Sequence, residues 1–336
     1  MNRHRGTSLW TRRDILTALT GSLACLLLPA LPAAANGTPA APVPEPAVAP
    51  GIPIAMFHKV DDAPRYPEDI SPEQLARLLD HAFEAGFRPV NISDIVEGRA
   101  DRVVPKGKKP LGITVDDSHR SVLFDSRQIK HPDQRNSRSF YDVYTEWAKR
   151  RKIEPRATFF LTENSNDRLE GSLQGYFGDT KRLRECAKKL AETPGTELGY
   201  HTRLHKRLSK TSCAEFEILL QYQEEQFRSL GAASLVRKIF SYPYGLAPEA
   251  GCDEVLKRLG FSAAVLASPG VGEGATGKAP FCLYDRGLKD RPYHMPRINV
   301  GAGTYSREFV IRPEDPVRKF DKDIGSRKGA YVSAGA

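Results

Sequence analysis

The sequence predicts an α/β protein whose sheet is mostly parallel. Two observations predict this class. Short apolar segments of strand length alternate with helical patterns along the chain, and clusters of polar residues directly follow three of the apolar segments. The helices between successive strands supply the crossovers that a parallel sheet requires. In such folds the carboxyl ends of the strands share one edge, where the chemistry is placed.

The composition is ordinary for a soluble globular protein. The 336 residues are 40% hydrophobic and 27% charged, which is enough chain for one large domain or two small ones. The formal net charge is +9, and +6 remains beyond residues 1–35, which contain four arginines and one aspartate. This excess favours an acidic or surface-bound polymer but is also usual for a solvated surface. Arginine and aromatic residues do not interleave as in nucleic-acid-binding proteins, so we expect no nucleic-acid partner.

Residues 1–35 predict a Tat-type signal peptide. The adjacent Arg12 and Arg13 precede an apolar segment at 19–31, and the alanines at 33–35 provide a small-residue cleavage site. The apolar segment is too short and too interrupted by proline for a stable transmembrane helix. An uncleaved N-terminal anchor is the alternative. We therefore expect a periplasmic or secreted protein that meets the membrane only during export.

The folded domain is predicted to span 52–305. An Ala- and Pro-rich stretch at 36–51 precedes it and has the composition of a semi-extended linker. A polar tail of uncertain structure follows at 306–336. The sequence therefore predicts one folded domain between two segments that contribute nothing to its hydrophobic core.

The cysteines leave the redox state open. Cys25 lies in the leader, and the other four are widely spaced with no Cys-x-x-Cys pair, so a thiolate zinc site is not expected. Export permits up to two disulfides, whose pairing the sequence does not disclose, and free buried thiols are an equal or better interpretation. The four are Cys186, Cys213, Cys252 and Cys282.

Strands and helices alternate through the predicted domain. Ser71 and Gln74 predict a capping box at the start of the first helix, with Pro72 at its first position, and Gly86 predicts its end. A polar stretch at 125–138 interrupts the alternation and is interpreted as a surface insertion. The predicted strands are 52–57, 87–90, 111–115, 157–161, 197–199, 239–241, 263–266 and 298–300, and the later helices lie near 141–152, 180–192, 213–230 and 248–259.

The apolar strand at 111–115 ends in two adjacent carboxylates, Asp116 and Asp117. Neighbouring residues on a strand point to opposite sides, so the two acids need not share a role. Turn chemistry alone also explains an Asp-Asp-Ser sequence. A functional role for the pair is therefore a hypothesis that depends on what other strand ends bring to the same edge.

His201 and His205 follow the strand at 197–199. On a helical turn, residues four apart share one face and are near enough to bind one cation. Such a pair is often incidental, but together with an acid from another strand end it predicts a His-His-Asp site. Three protein ligands leave a position for water, which is the pattern of a catalytic metal rather than a structural one.

A third polar element, residues 241–245, follows the strand at 239–241 and reads Ser-Tyr-Pro-Tyr-Gly. It is either a turn with packed aromatic rings or a functional turn. In the functional interpretation a backbone N–H is presented to a ligand, and Tyr244 forms one wall of a cleft.

These three elements resemble the motifs of the polysaccharide deacetylase family, the NodB-homology domain of carbohydrate esterase family 4. The family phrase Thr-Phe-Asp-Asp-Gly corresponds to residues 114–118, and His-Ser/Thr-x-x-His is intact at 201–205. The phrase Arg-x-Pro-Tyr corresponds in part to residues 241–244. The strands at 54–58 and 157–161 are also similar to family strands, so the resemblance covers roughly residues 52 to 300.

The resemblance implies a distorted (β/α) barrel, usually of seven strands, with the site at the strand C-termini. It implies that Asp117, His201 and His205 bind a divalent metal, most often zinc, with cobalt or nickel as alternatives. Asp116 would be the general base toward water activated at the metal, and the Tyr244 backbone N–H would help to hold the oxyanion. The implied reaction is N-deacetylation, or O-deacetylation, of an acetylated polysaccharide.

The chain departs from the family pattern in three places. Ser118 replaces a glycine, Ser241 occupies the place of the arginine that in many members holds the base carboxylate, and no Leu-x-His phrase supplies a general acid. His294 is our first candidate for the acid and His58 the second, although each can also be a structural or surface histidine. Arg297 is a candidate for the missing cation near the base, with a surface ion pair as the alternative.

The departures keep two other functions open. The missing arginine and the unassigned acid also fit a carbohydrate-binding relative that has lost catalysis. A metal-dependent amidase of the same fold, acting on a small amide, would instead need a closed and deep cleft. The sequence does not disclose the glycan, the physiological metal or the oligomeric state.

Overall fold

The structure is a computed structural model. The predicted signal peptide, with Cys25, and nearly all of the predicted linker lie outside the residues that it describes. Ser118 and Cys282 also lie outside them. The predictions for these parts are therefore not tested. No helix of the described part combines the length and the apolar character needed to cross a membrane. The described residues are 51–117, 119–128, 135–162, 180–248, 252–267, 283–284, 293–301, 303–305, 311–313 and 315–325.

The secondary structure alternates between strands and helices as the sequence predicts. The strands are β1 Ile52–Phe57, β2 Lys59–Val60, β3 Asp69–Ile70, β4 Phe87–Val90, β5 Lys109–Val115, β6 Ala157–Leu161, β7 Thr196–Tyr200, β8 Val236–Ser241, β9 Ala263–Val265, β10 Leu283–Tyr284, β11 Ile298–Asn299, β12 Gly303–Tyr305 and β13 Ile311–Pro313. The helices are α1 Pro72–Glu84, α2 Ile92–Val96, α3 Ala100–Val103, α4 Arg120–Leu123, α5 Phe140–Arg151, α6 Thr180–Ala191, α7 Cys213–Ser229, α8 Asp253–Arg258 and α9 Pro316–Gly325.

Seven of the eight parallel strands form the strongly curved path of one nine-stranded sheet. From β1 the order runs through β5, β6, β7 and β8 to β9. On its other side β1 pairs in parallel with β11, and Met295, just before β11, bridges Val265 at the end of β9. The last strands therefore approach the first, and the predicted NodB-like (β/α) barrel is confirmed. In addition, β4 pairs with β5, and β10 is antiparallel to β1.

Apolar burial explains why these strands form and where they lie. Every residue of β1 and of β6 is buried, as expected for central parallel strands that are covered on both faces. The apolar side of α1 packs toward the same core through Leu75, Leu78 and Leu79. The barrel is thus a rigid support for the polar residues that follow its strands.

The capping box predicted for α1 is confirmed. The Ser71 side chain accepts from the Gln74 backbone N–H at 3.2 Å, and the Gln74 side chain accepts from the Ser71 backbone N–H at 2.9 Å. Pro72 occupies the first helical position. This local agreement arises because a cap depends only on residues within one turn.

The described ends of the polar stretch at 125–138 combine exposed residues, among them Arg127, Gln128 and Ser137, with two buried ones. Asp125 and Asn136 are buried, and Asn136 Nδ2 donates to the carbonyl oxygens of Phe124 at 2.9 Å and Arg138 at 3.0 Å. The structure leaves out residues 129–134. Asp125 Oδ1 likewise accepts from the backbone N–H groups of Arg127 and Gln128. Hydrogen bonds within the fold therefore allow these two polar side chains to be buried.

The C-terminal tail contains a helix that the sequence did not predict. In α9, Phe320 is buried and packs edge-to-face against Phe87, with ring centroids 6.0 Å apart. Just before this helix, Asp315 pairs with Arg77 of α1 at 3.3 Å. This part of the tail therefore packs against the outside of the barrel.

Candidate active site

Asp117, His201 and His205 come together at the carboxyl ends of β5 and β7. The Nε2 atoms of His201 and His205 lie 2.8 and 3.1 Å from the same carboxylate oxygen, Oδ1 of Asp117. One nitrogen or oxygen atom from each of the three residues lies within 4.8 Å of the others. Both imidazoles are buried and the carboxylate is partly buried. Residues 84 positions apart in sequence therefore present their polar atoms to one small volume.

The hydrogen bonding of His201 shows that this group fits a cation. Its Nδ1 atom lies 2.8 Å from the backbone oxygen of Ser241. A carbonyl oxygen only accepts hydrogen bonds, so Nδ1 carries the hydrogen, and Nε2 of the neutral ring is left as an acceptor. That acceptor faces the carboxylate oxygen of Asp117. Two acceptors that face each other are stabilised by a cation between them, and a histidine held by its other nitrogen is typical of metal ligands.

The electrostatics keep both acids ionised. Burial raises the pKa of Asp117, but the neighbouring His205 outweighs it and holds this pKa well below its usual value. Burial likewise raises the pKa of Asp116, and the opposing charge and hydrogen bonds of Arg297 bring it below its usual value. The site therefore presents two carboxylates with different partners, as the alternation along a strand allows.

The predicted helical turn between the two histidines is wrong. Residues 201–205 form an irregular loop, in which Thr202 and His205 adopt left-handed backbone conformations with φ of 53° and 48°. The left-handed residues turn both rings toward Asp117. A spacing of four predicts a shared helical face only when the backbone between the residues is helical.

Left-handed backbone conformations are concentrated in the site. Five non-glycine residues of the described part have positive φ, and four of them are Asp117, Thr202, His205 and Tyr244. The fifth, Lys152, ends helix α5. Non-glycine residues adopt this conformation at an energetic cost, and such residues cluster at functional sites. The backbone conformations therefore indicate a functional site at the same residues as the side-chain contacts do.

Gln223 of α7 supports the histidine loop, and sequence reasoning missed it. Its Oε1 atom accepts from the His201 backbone N–H at 2.9 Å, while Nε2 donates to the Leu161 backbone oxygen at 2.6 Å. Gln223 is fully buried. A single glutamine in an amphipathic helix gives no local signal of such a role, since only the packing of α7 against β6 and β7 creates it.

Arg297 supplies the cation that the chain lacks at position 241. It is only 1% exposed, and its Nη1 and Nη2 atoms lie 2.7 Å from Oδ1 and Oδ2 of Asp116. The Ser241 hydroxyl donates to Oδ2 of the same carboxylate at 2.8 Å and accepts from Arg297 Nη2 at 2.9 Å. The hypothesis that Arg297 reaches the carboxylate of Asp116 is confirmed, and its burial excludes the surface ion pair.

The structure distinguishes between the two histidines considered for the general acid. His58, which follows β1, acts electrostatically on both carboxylates and has a buried Nδ1 atom without a hydrogen-bond partner among the described residues. The described contacts of His294 are different: its ring stacks on Tyr242 at 6.1 Å, and its Nδ1 atom lies 3.6 Å from Asp253. Of the two histidines, His58 is the one that acts electrostatically on both acids.

Tyr244 lies in a short 3-10 turn, Pro243–Gly245, directly after β8. The centroid of its ring is 4.5 Å from that of His205.

A disulfide lies close to this turn in the chain: Cys252, which follows the turn, is bonded to Cys213 at the start of α7. The disulfide thus joins the segment after the Tyr244 turn to the segment after the histidine loop. Of the pairings that the sequence left open, the described residues contain Cys213–Cys252, and Cys186 is buried.

A parallel barrel with two acids and two histidines at one strand edge defines the class of NodB-like (β/α)-barrel proteins. Residues 104–264 match the family model for polysaccharide deacetylase, a range that contains both acids, His201, His205 and Tyr244. This part of the chain, just under half of its length, thus has the pattern of the polysaccharide deacetylase family, whose enzymes are hydrolases of carbon–nitrogen bonds.

One solved structure supports the fold, and two others are similar to this chain at lower TM-scores. A polysaccharide deacetylase from Bacillus cereus is 17% identical, with a TM-score of 0.50 over 82% of this chain and 69% of that one. IcaB from Ammonifex degensii is 21% identical, with a TM-score of 0.48 over 74% and 91% of the two chains. A de-N-acetylase from Aggregatibacter actinomycetemcomitans is 15% identical, with a TM-score of 0.49 over 77% and 99%. No curated protein sequence matches this chain.

Proposed function

We propose that this protein is an exported, metal-dependent deacetylase that removes acetyl groups from an acetylated polysaccharide. Asp117, His201 and His205 would hold the divalent ion. The observation that carries the proposal is the convergence of two imidazole Nε2 atoms on one carboxylate oxygen. A second carboxylate, that of Asp116, lies 3.9 Å from His201 Nε2. Nitrogen and oxygen ligands of this kind suit zinc, with cobalt or nickel as alternatives.

A divalent ion bound there would lower the pKa of water and polarise a carbonyl oxygen. Asp116 would be the general base that takes the proton of the attacking water. Its carboxylate has about four acceptor positions, and three hydrogen bonds from Arg297 and Ser241 use three of them. Those bonds hold the group in one orientation and leave one position for a proton.

The remaining two roles are a donor to the oxyanion and an acid for the leaving group. The left-handed Tyr244 turn after β8 supports the Tyr244 backbone N–H as the oxyanion donor. His58 is the better candidate for the acid, because it interacts with both carboxylates, whereas His294 has its described contacts with Tyr242 and Asp253. We therefore assign the acid to His58 in place of His294.

Export is supported by a disulfide in the folded domain as well as by the predicted signal peptide. A disulfide joins Cys213 and Cys252, and disulfides persist in oxidising compartments such as the periplasm. Together with the twin arginines at 12–13, this favours a periplasmic or secreted location.

Arg297 also weakens the case for an inactive carbohydrate-binding relative. That alternative depended on a missing arginine and an unassigned acid. Arg297, the residue directly before β11, supplies the missing arginine contact to Asp116. His58 is our candidate for the general acid. The catalytic interpretation therefore needs no residue that the chain lacks.

The test is acetate release from acetylated xylan, chitin oligomers, poly-N-acetylglucosamine and peptidoglycan, together with the metal content of each protein. We expect chelation to abolish acetate release and added Zn²⁺ or Co²⁺ to restore it. Asp117→Ala should lose both metal and turnover. Asp116→Asn should keep the metal and lose turnover by about 10²- to 10⁴-fold, the usual contribution of a general base.

Two histidine variants form a matched control. His58→Gln should reduce turnover without loss of metal, whereas His294→Gln should leave both unchanged. Full activity of Asp116→Asn would remove the base assignment. Full activity of metal-free protein would contradict the metal site itself.

A further inference from the structure

Exposed apolar side chains are concentrated beside the histidine loop, residues 201–212, which connects β7 to α7. Within the described part of the chain, four large apolar side chains are exposed, and three of them are Leu204, Ile218 and Tyr222. Leu204 is 40% exposed, and the other two, both in α7, are each 58% exposed. Exposed apolar side chains that lie together, rather than singly, indicate an interaction site.

The three side chains lie along one face of α7. The two helical residues are four positions apart and therefore share a face. The histidine loop runs beside this face: the guanidinium carbon of Arg203 lies 5.3 Å from the ring centroid of Tyr222, and Lys206 forms an ion pair with Glu215, one residue short of two further turns toward the helix start. Leu204 lies between these two contacts and thus beside the same face. We call Leu204, Ile218 and Tyr222 the α7 patch.

The charges that border the α7 patch have partners. Lys206 is paired with Glu215, and Glu217, the residue before Ile218, is paired with Arg258 of α8 at 2.6 Å. The patch itself consists of a tyrosine ring and two aliphatic side chains. It therefore fits a neutral ligand that has an apolar face.

The α7 patch is continuous with the residues that would perform the reaction. Leu204 directly precedes His205, whose buried ring belongs to the candidate metal site. Tyr222 directly precedes Gln223, whose side chain accepts from the His201 backbone N–H at 2.9 Å. A polysaccharide whose acetyl group reacts at the site continues beyond the reacting sugar, so sugars on one side of the reacting one would pass over the patch.

We propose that the α7 patch is a subsite for a neutral polysaccharide chain and binds sugar rings that lie outside the reaction site. This inference rests on the proposed function and adds that the substrate is recognised as a chain rather than as a single sugar. A pyranose ring with equatorial substituents, such as N-acetylglucosamine, has apolar C–H faces that can pack on the Tyr222 ring. Its acetamido methyl groups match the aliphatic side chains of Leu204 and Ile218.

A second copy of the chain fits the α7 patch less well than a sugar chain does. A stable protein interface buries about 800 Å² on each partner, and three half-exposed side chains offer only a fraction of that area. One or two sugar rings, in contrast, match the size of a tyrosine ring with two aliphatic neighbours.

The test compares disaccharides with hexasaccharides of N-acetylglucosamine, in the chitin and in the poly-N-acetylglucosamine linkage. The disaccharide occupies the reaction site, whereas the hexasaccharide extends beyond it. Binding is measured by calorimetry with the zinc-loaded Asp116→Asn protein, so that the result does not depend on turnover. Acetate release by the unmodified protein is measured separately and tests the proposed function alone.

We expect the hexasaccharide of at least one linkage to bind at least tenfold more tightly than its disaccharide, and added salt to change this preference less than twofold because the ligand is neutral. Tyr222→Ala should weaken binding of the hexasaccharide about tenfold and that of the disaccharide less than twofold, whereas Tyr222→Phe should retain the preference. Ile218→Gln should weaken binding of the hexasaccharide about threefold. Arg228→Ala removes an exposed side chain from the last turn of α7, is the matched control and should change neither.

Equal affinity for disaccharide and hexasaccharide in both linkages would overturn the inference. So would an equal loss for both probes in Tyr222→Ala, since that would indicate a structural role of the ring. A protein dimer that Tyr222→Ala dissociates would assign the α7 patch to a second copy and would also overturn it. Acetate release by the unmodified protein, together with equal binding of the two probes, would overturn this inference and leave the proposed function standing.

Discussion

Replacement of Arg297 by methionine tests whether one buried cation organises the base of the site. The guanidinium group donates five hydrogen bonds: two to Asp116, and one each to Ser241 Oγ, Thr114 Oγ1 and the Leu266 backbone oxygen. Because both members of the Arg297–Asp116 pair are almost fully buried, methionine would leave a buried carboxylate with the Ser241 hydroxyl as its remaining described side-chain donor. Removal of one partner from such a pair costs about 3–5 kcal/mol.

The stability cost should be visible in thermal and chemical unfolding. For a domain of this size, about 3–5 kcal/mol corresponds to a fall of roughly 6–10 °C in Tm. Ser241→Ala removes one hydrogen bond from the same carboxylate and should cost only about 1–2 kcal/mol. Arg228→Met, at a pair in which the arginine side chain is 61% exposed, should cost less than about 1 kcal/mol.

A double-mutant cycle separates the pair from the general loss of an arginine. Asp116→Asn and Arg297→Met should each destabilise the protein, and the double variant should be more stable than the sum of the two losses by about 2 kcal/mol or more. Metal content should stay unchanged in Arg297→Met while acetate release falls, because Arg297 contacts Asp116 and not the three metal-site residues. A variant as stable and as active as the parent, or additive losses in the cycle, would refute the reasoning.

Two further predictions concern the scaffold. Replacement of Cys213 and Cys252 by serine opens a loop with a sequence separation of 39. This change should lower the free energy of unfolding by about 4 kcal/mol in the chain-entropy model. Chemical denaturation at constant pH measures this loss, and an unchanged denaturation midpoint would contradict the prediction. Burial raises the pKa of Glu197 above its ordinary 4.5, against hydrogen bonds from Ser93 and Thr158 that lower it. The folded state therefore holds this proton more tightly, so wild-type stability should fall relative to Glu197→Gln as pH rises from 4.5 toward neutrality, and a stability difference that is independent of pH would refute it.

Much of the architecture follows from local patterns in the sequence. Strand-length apolar runs and helical periodicities predicted an α/β fold with a mostly parallel sheet, and the family resemblance implied that the sheet forms a barrel. The capping box of Ser71 and Gln74 was predicted residue by residue. The positions of Asp116, Asp117, His201 and His205 at strand ends also follow from the sequence, because a parallel sheet collects the ends of its strands at one edge. These features depend on residues that are neighbours along the chain, or on a rule that holds for the whole fold class.

The sequence did not identify the partners that make those residues a site. Arg297 was one of two open interpretations, and Gln223 carried no local signal at all. The left-handed loop at 201–205 replaced a predicted helical turn, and the electrostatic effect of His58 on both acids had no local signal. In each case the deciding contact joins strands or helices that are distant in sequence.

The sequence by itself determined the elements, their order and the chemistry available at the strand ends. The tertiary structure decided which groups meet. Arg297 reaches Asp116 across 181 positions because β11 pairs with β1, which in turn pairs with β5, and Cys213 meets Cys252 because their helices follow adjacent strands. Periodicity and capping act over a few residues, whereas these contacts exist only once the sheet has curved and its last strands lie beside its first.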